Sequence, residues 1–549
     1  MGAFPYDSGF PQIPFFPLLK IAFETPARAP DRSASRLMPW LCMALSALLA
    51  GCTSLAPPTD RMESSVLRDT ADTALGRGIA PLASRHAGLS GIYLLSEARD
   101  AFAARMLLAE VAQRTLDVQY YIWRPDVSGK LLLEALHSAA ERGVRVRLLL
   151  DDNNTSGMDA LLATLDQHPH IEVRLFNPFK VRGFKPLGYL TDFSRLNRRM
   201  HNKSFTADNQ ASILGGRNVG DEYFGVGDGM LFADLDVLAI GQVVDAVSTD
   251  FDLYWASASS YPVSQLLAPA PAGQLHKASE HDARASRDPA AQAYLQAVQQ
   301  ATFVRRMVEG TLAFEWAPTH LVSDDPAKVL AKAHHQDLML PRLKQVLQAP
   351  TESMELVTPY FVPTADGVQA LVALRQQGVR IRVLTNSLEA TDVAAVHAGY
   401  AKRRKALLEA GVILYELKKQ PFGAAPAKGL GMGGSSSASL HAKTFSVDRA
   451  RLFVGSFNFD PRSAALNTEM GVLISSPRLA GQVADAFDHS VMAQAYQVEL
   501  SGGEGAGSLR WLSQDAQGQP VVDTTEPGTS WRQRAGVGFL SLLPIEWLL

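Results

Sequence analysis

HNKSFTAD, residues 201–208, places a histidine and a lysine two apart and closes on an aspartate; HAKTFSVD, residues 441–448, repeats the pattern. Period-two alternation in a strand sends His201, Lys203 and Phe205 to one face, and His441, Lys443 and Phe445 to one face of the other copy. Imidazole and ammonium therefore point the same way in each. Asp208 and Asp448 fall where the strand must turn, and a second short strand leads into Gly215-Gly216-Arg217-Asn218 or Gly455-Ser456-Phe457-Asn458. The interval from histidine to asparagine is 17 residues in both copies, so the duplication extends well past the octet.

Each octet ends a longer repeat. TLDVQYYIW (115–123), the helical pattern GKLLLEALHSAAERG (129–143), VRVRLLLDD (144–152) and IEVRLFNP (171–178) read as strand, helix, strand and strand. SMELVTPYFV (353–362), GVQALVALRQQG (367–378), VRIRVLTNS (379–387) and VILYELKK (412–419) read the same way. A crossover helix implies parallel pairing of the strands it joins. The expected fold class is α/β, built from two repeats of one plan. The expected divisions are a leader at 1–52, a tether at 53–85, repeat 1 at 86–262, a linker at 263–300, repeat 2 at 301–497 and a C-terminal extension at 498–549.

With 549 residues, 47% hydrophobic and 19% charged, the chain has material for two ordinary cores. A net charge of -3 argues against a general nucleic-acid binder, so any anion-binding role is local. Both cysteines, Cys42 and Cys52, lie in the leader, which leaves the rest of the chain no thiol for a disulfide, a zinc site or a nucleophile. MPWLCMALSALLAGC (38–52) is an apolar run too short to span a bilayer and suited to a signal-peptide core. Its end, Leu49-Ala50-Gly51-Cys52, resembles a bacterial lipobox, which implies lipidation at Cys52 and a membrane-anchored lipoprotein of the bacterial envelope facing the periplasm.

Two histidines, two lysines and two asparagines, with no metal or other cofactor expected, suit phosphodiester transfer. A neutral imidazole attacks phosphorus while a second, protonated imidazole gives its proton to the leaving oxygen, and the roles reverse when an alcohol or water arrives. Lysine ammoniums and asparagine amides then supply fixed charge and hydrogen bonds to the nonbridging oxygens. Each repeat would contribute half of one site.

The duplicated HxKxxxxD pattern resembles the signature of the phospholipase D superfamily. QYYIW, RRMHNKSF, GGRNVGDEYF, FADLDVLAIG, TPYFVP, LNTEMGVLI and LLPIEWLL make the chain similar, from about residue 85 onward, to the bacterial cardiolipin synthase C-type phosphatidyltransferases. The resemblance implies two phospholipase D-like α-β-α sandwich repeats packed as a pseudo-twofold dimer within one chain. It implies His201 as nucleophile, His441 as general acid, Lys203 and Lys443 as phosphate ligands, and Asn218 and Asn458 as donors to oxygen. Asp236 and Glu469 would orient the imidazoles, and Asp208 and Asp448 serve as turn and scaffold residues. Ser456 has Gly216 as its counterpart, so the site need not be symmetric.

Residues 179–203 interleave Lys180, Arg182, Lys185, Arg195, Arg198 and Arg199 with Phe179, Phe184, Tyr189 and Phe193, a composition suited to anionic headgroups at a membrane surface and equally to nucleic-acid phosphates. The lipobox favours lipid. Expected partners are therefore the membrane surface and phospholipid substrates, phosphatidylglycerol and phosphatidylethanolamine among them, with no nucleic acid and the oligomeric state open. Residues 421–438 read as a small-residue flap, and the tail 531–549 as a segment that docks on the fold or rests on the bilayer. Transfer of a phosphatidyl group leads, while a phospholipase D-type hydrolase and a phosphodiesterase or nuclease share every catalytic residue. A noncatalytic lipid-binding lipoprotein would not require the duplicated set.

Overall fold

In the computed structural model of the chain, residues 61–227, 231–271, 289–309, 311–419, 438–502, 507–515 and 517–549 are described, with residues 55, 57 and 58. The leader, Cys52, and all but the last residue of the expected 421–438 flap lie outside the described residues. Repeat 1 supplies strands β1 (Ser90–Leu95), β2 (Thr115–Ile122), β3 (Arg145–Asn154), β4 (Ile171–Phe176), β5 (Ser204–Ala207), β6 (Ala211–Gly215), β7 (Leu231–Ala233), β8 (Asp236–Gly241) and β9 (Ser260–Pro262). Then come β10 (Glu315–Ala317), β11 (Thr319–Ser323), β12 (Ser353–Val357), β13 (Arg380–Asn386), β14 (Ile413–Leu417), β15 (Ala438–Leu440), β16 (Thr444–Val447), β17 (Arg451–Gly455), β18 (Met470–Ile474), β19 (Ala495–Ser501), β20 (Ser508–Gln514) and β21 (Pro520–Asp523).

The first sheet runs β10-β1-β8-β6-β5-β2-β3-β4-β9 and the second β11-β18-β17-β16-β12-β13-β14-β19-β20-β21. Eight strands of each follow one order, from β1 to β9 and from β11 to β19, so the duplication read in the sequence is a duplication of topology. Within these two sheets parallel pairing is confined to β2-β3-β4 and β12-β13-β14, where crossover helices intervene, and a separate two-stranded parallel sheet joins β15 to β7. Both crossover helices, Val127–Glu141 and Ala365–Gln376, stop at a glycine of positive φ, Gly143 at 89° and Gly378 at 92°. The amide of the residue after each glycine reaches back to Ala139 or Leu374, closing the helix end and turning the chain into β3 or β13.

A buried arginine repeats as well. Arg147 on β3 pairs with Asp117 at 2.7 Å and Asp252 at 2.8 Å over the Phe251 ring; Arg382 on β13 pairs with Glu355 at 2.9 Å and Asp488 at 2.5 Å over Phe487. Each pins the sheet to the helix that follows β8 or β18, Gln242–Ala256 or Pro477–His489. Between the sheets, Leu214, Val237 and Ala239 of the first half share one core with Val454, Val472 and Ile474 of the second. Separate cores fill the outer faces.

Three of the expected segments carry ordered elements and contacts of their own. The tether carries contacts and a helix: Arg61 donates to the carbonyl of Ala256 at 2.9 Å, the Val66 amide to Asp252 at 2.8 Å, and Ala74–Ser84 is helical behind its cap Thr73. In the linker, helix Pro289–Gln299 buries Ala291, Tyr294 and Val298 in the core of the first half, and β10 pairs with β1 beyond residue 300. The C-terminal extension is part of the fold, because β20 and β21 widen the second sheet and helix Trp531–Leu542 packs Val537 against Leu388 and Ala398.

The octets' terminal aspartates are scaffold. Asp208 and Asn209, like Asp448 and Arg449, have φ between 50° and 53°, forming the two corners of a type I′ hairpin turn. The Asp208 carboxylate accepts the amides of Gln113, Arg114 and Thr115 at 3.0, 2.7 and 2.9 Å, and Asp448 accepts those of Thr351, Glu352 and Ser353 at 3.0, 2.8 and 3.0 Å. Burial raises the Asp448 carboxyl, but those amides outweigh it and hold the group below its ordinary value. Replacing Asp208 by alanine strands three amides in a fully buried spot and strains the turn, so Asp208→Ala should lose roughly 2–4 kcal/mol of stability. Asp448→Ala should lose less, its carboxylate being partly open to solvent. Thermal melts of both variants check the order, and equal losses would refute it.

Candidate active site

Strand β5 begins at Ser204 and β16 at Thr444, so each His-x-Lys precedes its strand instead of lying in it, a correction to the strand-face reading. Phe205 and Phe445 enter the outer cores. The histidine backbones are tied to the opposite half. The His201 amide donates to Thr468 O at 2.9 Å and the Thr468 amide to Arg199 O at 2.9 Å; the amides of His441 and Ala442 donate to Ala233 O at 2.8 and 3.0 Å, continuing the parallel β15-β7 pair. Side chains at the ends of β3 and β13 fix the approach: Asp151 accepts the Met200 amide at 2.8 Å, and Asn386 exchanges two bonds with Leu440 at 2.9 and 3.0 Å.

This backbone exchange delivers an acid to each histidine from the other repeat. Glu469 Oε2 lies 2.8 Å from His201 Nδ1, and Asp234 Oδ2 lies 2.5 Å from His441 Nδ1. Asp236, the expected partner, instead accepts from Arg105 at 2.8 Å and from the Arg217 amide at 3.1 Å. The signal for Asp234 was present in the sequence: matching Val237-Leu238 with Val472-Leu473 sets Asp234 against Glu469 and Asp236 against Gly471. The two halves then differ by one exchange of size. Ser456 Oγ donates to Glu469 at 2.5 Å, whereas a Cβ on Gly216 would stand 2.1 Å from Asp234 Oδ1. A serine with a long acid and a glycine with a short one fill equivalent space.

Lys203 Nζ donates to His201 O at 2.5 Å and sits 5.4 Å from the Tyr121 ring centre. Lys443 Nζ donates to His441 O and lies 2.9 Å from His441 Nδ1. Since Asp234 can only accept, the proton on Nδ1 belongs to the Asp234 bond. Asn218 spends its carbonyl on the Ile122 amide at 3.1 Å and one amide hydrogen on Tyr223 Oη at 3.0 Å, leaving a second hydrogen. Asn458 is held by its backbone amide, 3.3 Å from Ser463 Oγ, and its buried Oδ1 has no partner. Tyr121 meets His201 edge-on at 4.9 Å; Tyr223 and Phe232 flank His441 at 5.2 and 5.0 Å. His201 and His441 are 7% and 6% exposed, so the site is nearly dry.

Burial drives the titration of every group here. His201 is pushed well below the usual imidazole value by burial, then by Lys203, Lys443 and His441, and is neutral at pH 7. Its partner Glu469 is raised by burial to about 7 against the pull of Lys203 and Ser456. His441 is lowered by burial and Lys443, with Asp234 opposing; burial raises Asp234, but His441 and Lys443 outweigh it and hold it charged. Lys443 is lowered by burial to about 8, and Lys203 well below its ordinary value. The first pair favours a neutral imidazole with a free Nε2 lone pair. In the second pair the Asp234 carboxylate opposes the lowering, so His441 holds a proton more readily than His201 does.

Four of the six cations singled out in the basic stretch 179–203 are matched to carboxylates, which corrects its reading as a bare anion-binding surface. Arg182 and Lys185 pair with Asp152, Arg195 with Asp192, and the buried Arg199 with Asp151. Those acids sit on or beside β3, some 30 to 50 residues earlier in sequence, except Asp192.

Residues 108–255 and 343–491 match the family model described as "Cardiolipin synthase, PLD-like domain". The chain is 50% identical over 475 residues to cardiolipin synthase C of Escherichia coli, covering 86% of this chain and 99% of that one. It is 25% identical over 406 residues to a major cardiolipin synthase of Bacillus subtilis, covering 73% of this chain and 69% of that one. Among solved structures, the phosphatidylserine synthase of Haemophilus influenzae shares the fold, with a TM-score of 0.51 at 13% identity over 85% of this chain and 99% of that one. The two matched segments each contain one His-x-Lys hairpin and one of the exchanged acids, and the chain belongs to the cardiolipin synthase family of phospholipase D-like proteins.

Proposed function

We infer that the chain is a phosphatidyltransferase that forms cardiolipin, moving a phosphatidyl group from one phospholipid to the glycerol hydroxyl of another. The observation that carries this reading is a pair of buried histidines, each held at Nδ1 by an acid of the opposite repeat, in a chain 50% identical to a cardiolipin synthase. His201, with Nδ1–H given to Glu469, attacks phosphorus through Nε2. The bond from phosphorus to the headgroup oxygen breaks, a phosphorus–nitrogen bond forms, and His441 gives its Nε2 proton to the departing oxygen. The acceptor hydroxyl then returns a proton to His441 as its oxygen displaces His201. Lys203, Lys443 and the free amide hydrogens of Asn218 and Asn458 bind the nonbridging oxygens. Lipidation at Cys52 would keep the enzyme in the envelope, at the membrane that holds phosphatidylglycerol and phosphatidylethanolamine.

Asp234 is a positioning residue that acts through His441. Asp234→Asn should lower turnover on the order of 10³-fold, by analogy with other acid-oriented histidines, with a melting temperature close to that of the unmodified protein. Asp236→Asn should do the reverse, since breaking the buried bond to Arg105 costs roughly 3–5 kcal/mol while leaving the imidazoles in place. Turnover and thermal melts of both variants decide between the two aspartates.

Lys443 must be protonated to bind phosphate charge, and its value is about 8, so kcat/KM should fall as pH rises through about 8. Lys443→Arg, which keeps its proton, should lower the maximum and move that alkaline limb upward by more than one pH unit. A limb that stays in place assigns it to another group.

A bound, oriented alcohol should outcompete water in so closed a site. Incubated with mixed phosphatidylethanolamine and phosphatidylglycerol vesicles, the protein should give cardiolipin in roughly tenfold excess over phosphatidic acid, with release of the headgroup alcohol. Mainly phosphatidic acid would make it a hydrolase, and DNA cleavage without lipid turnover a nuclease.

A further inference from the structure

With four of its cations matched to carboxylates, the 179–203 segment also shows solvent an apolar stripe. Phe184, Leu187, Leu190 and Phe193 recur every third residue along the helical segments Lys185–Thr191 and Phe193–Leu196, all exposed, Leu190 by 83%. A second exposed apolar group lies in the tail, with Leu542 at 81% and Trp547 at 58%. One guanidinium joins the two regions: Arg462 donates to Asn197 O and Oδ1 at 3.1 and 2.8 Å and to Leu548 O at 2.8 and 3.0 Å. Asn197 caps the helix that carries Phe193, and Leu548 follows Trp547. The tail therefore both docks, through Val537, and leaves apolar side chains uncovered.

The stripe is continuous with the rim of the site. Tyr189, on the stripe's own helix, donates to Asn153 Oδ1 at 2.7 Å; its neighbour Asn154 donates to Tyr121 O at 3.3 Å; and Tyr121 edges His201. Three residues separate Asn197 from His201. Side chains this apolar cost free energy in water and do not recognise nucleic-acid phosphate or an acidic protein, whereas leucine and aromatic side chains partition into the interfacial zone of a bilayer.

We propose that the stripe Phe184, Leu187, Leu190 and Phe193, with Leu542 and Trp547 of the tail, is the face by which the protein seats on a phospholipid bilayer beside its catalytic site. The proposal rests on the phosphatidyltransferase reading, which requires lipid to pass from a membrane to His201. Contact at this face is distinct from any anchor at Cys52, because an anchor tethers the chain without orienting the site.

The test uses the full chain with vesicles of phosphatidylethanolamine and phosphatidylglycerol whose acyl chains carry bromine. Tryptophan fluorescence should be quenched in the unmodified protein and clearly less so in Trp547→Phe. A variant combining Phe184→Ser, Leu187→Ser, Leu190→Ser and Phe193→Ser should lose at least roughly tenfold in turnover on vesicles. It should stay within about twofold on short-chain phosphatidylglycerol dispersed as monomers, where no surface is needed. Leu253→Ser, on an exposed apolar residue of helix Gln242–Ala256, should change neither rate. Equal quenching in Trp547→Phe, loss of both rates in the combined variant, retention of both, or lipid-free self-association that the variant abolishes would each overturn the proposal. Quenching without turnover of either lipid form would overturn the catalytic reading and leave the docking face standing.

Discussion

Glu469 reaches across to His201 and Asp234 to His441, and neither repeat can hold the Nδ1 of its own histidine without the other. All four groups are buried at the seam between the sheets. A carboxylate or imidazole taken from water without a partner costs several kcal/mol, so an isolated repeat would carry that cost on the same face that exposes Val237, Val472 and their neighbours. Apolar burial drives the halves together. The crossed pairs then fix the register, because a shift of one residue along β7 or at Thr468 would take both acids out of reach.

Duplication supplies two equivalent half-sites, yet the reaction needs one histidine to attack and the other to hold a proton. The exchange at residues 216 and 456 breaks the equivalence. Gly216 leaves room only for the short acid, which stays charged beside His441 and Lys443. Ser456 braces the longer Glu469, whose pKa burial raises to about 7. A hydrogen-bonded acid that readily goes neutral leaves His201 uncharged, and one that remains a carboxylate favours a proton on His441.

The topology was legible because it is written twice: the strand–helix–strand pattern, the glycine after each crossover helix and the 17-residue hairpin interval all recur. The histidines, lysines and asparagines were legible for the same reason. Asp234 is hard to tell from Asp236 because both lie in FADLD and only the correspondence of β8 with β18 separates them. The tether and linker were opaque because their contacts are made with backbone carbonyls distant in the chain, such as Arg61 with Ala256 O and Tyr294 with Phe224 O. Tertiary partners also reversed the meaning of residues 179–203, where composition showed cations and the fold exposes hydrophobes.

Among the described residues, the buried cations without a carboxylate ion pair are the two lysines beside His201 and His441. Arg105, Arg147, Arg199, Arg382 and Arg404 are all buried and each is matched to a carboxylate, so they hold elements together and offer nothing to a substrate. Lys203 and Lys443 differ: each donates to the carbonyl of its own histidine, and burial depresses both. A phosphodiester anion entering between them supplies the charge that burial withholds, raising their proton affinity by the linkage that ties binding to protonation. In the proposed reaction the transferred phosphate therefore completes the electrostatics of its own site, and the ammoniums strengthen their hold as negative charge builds on the nonbridging oxygens.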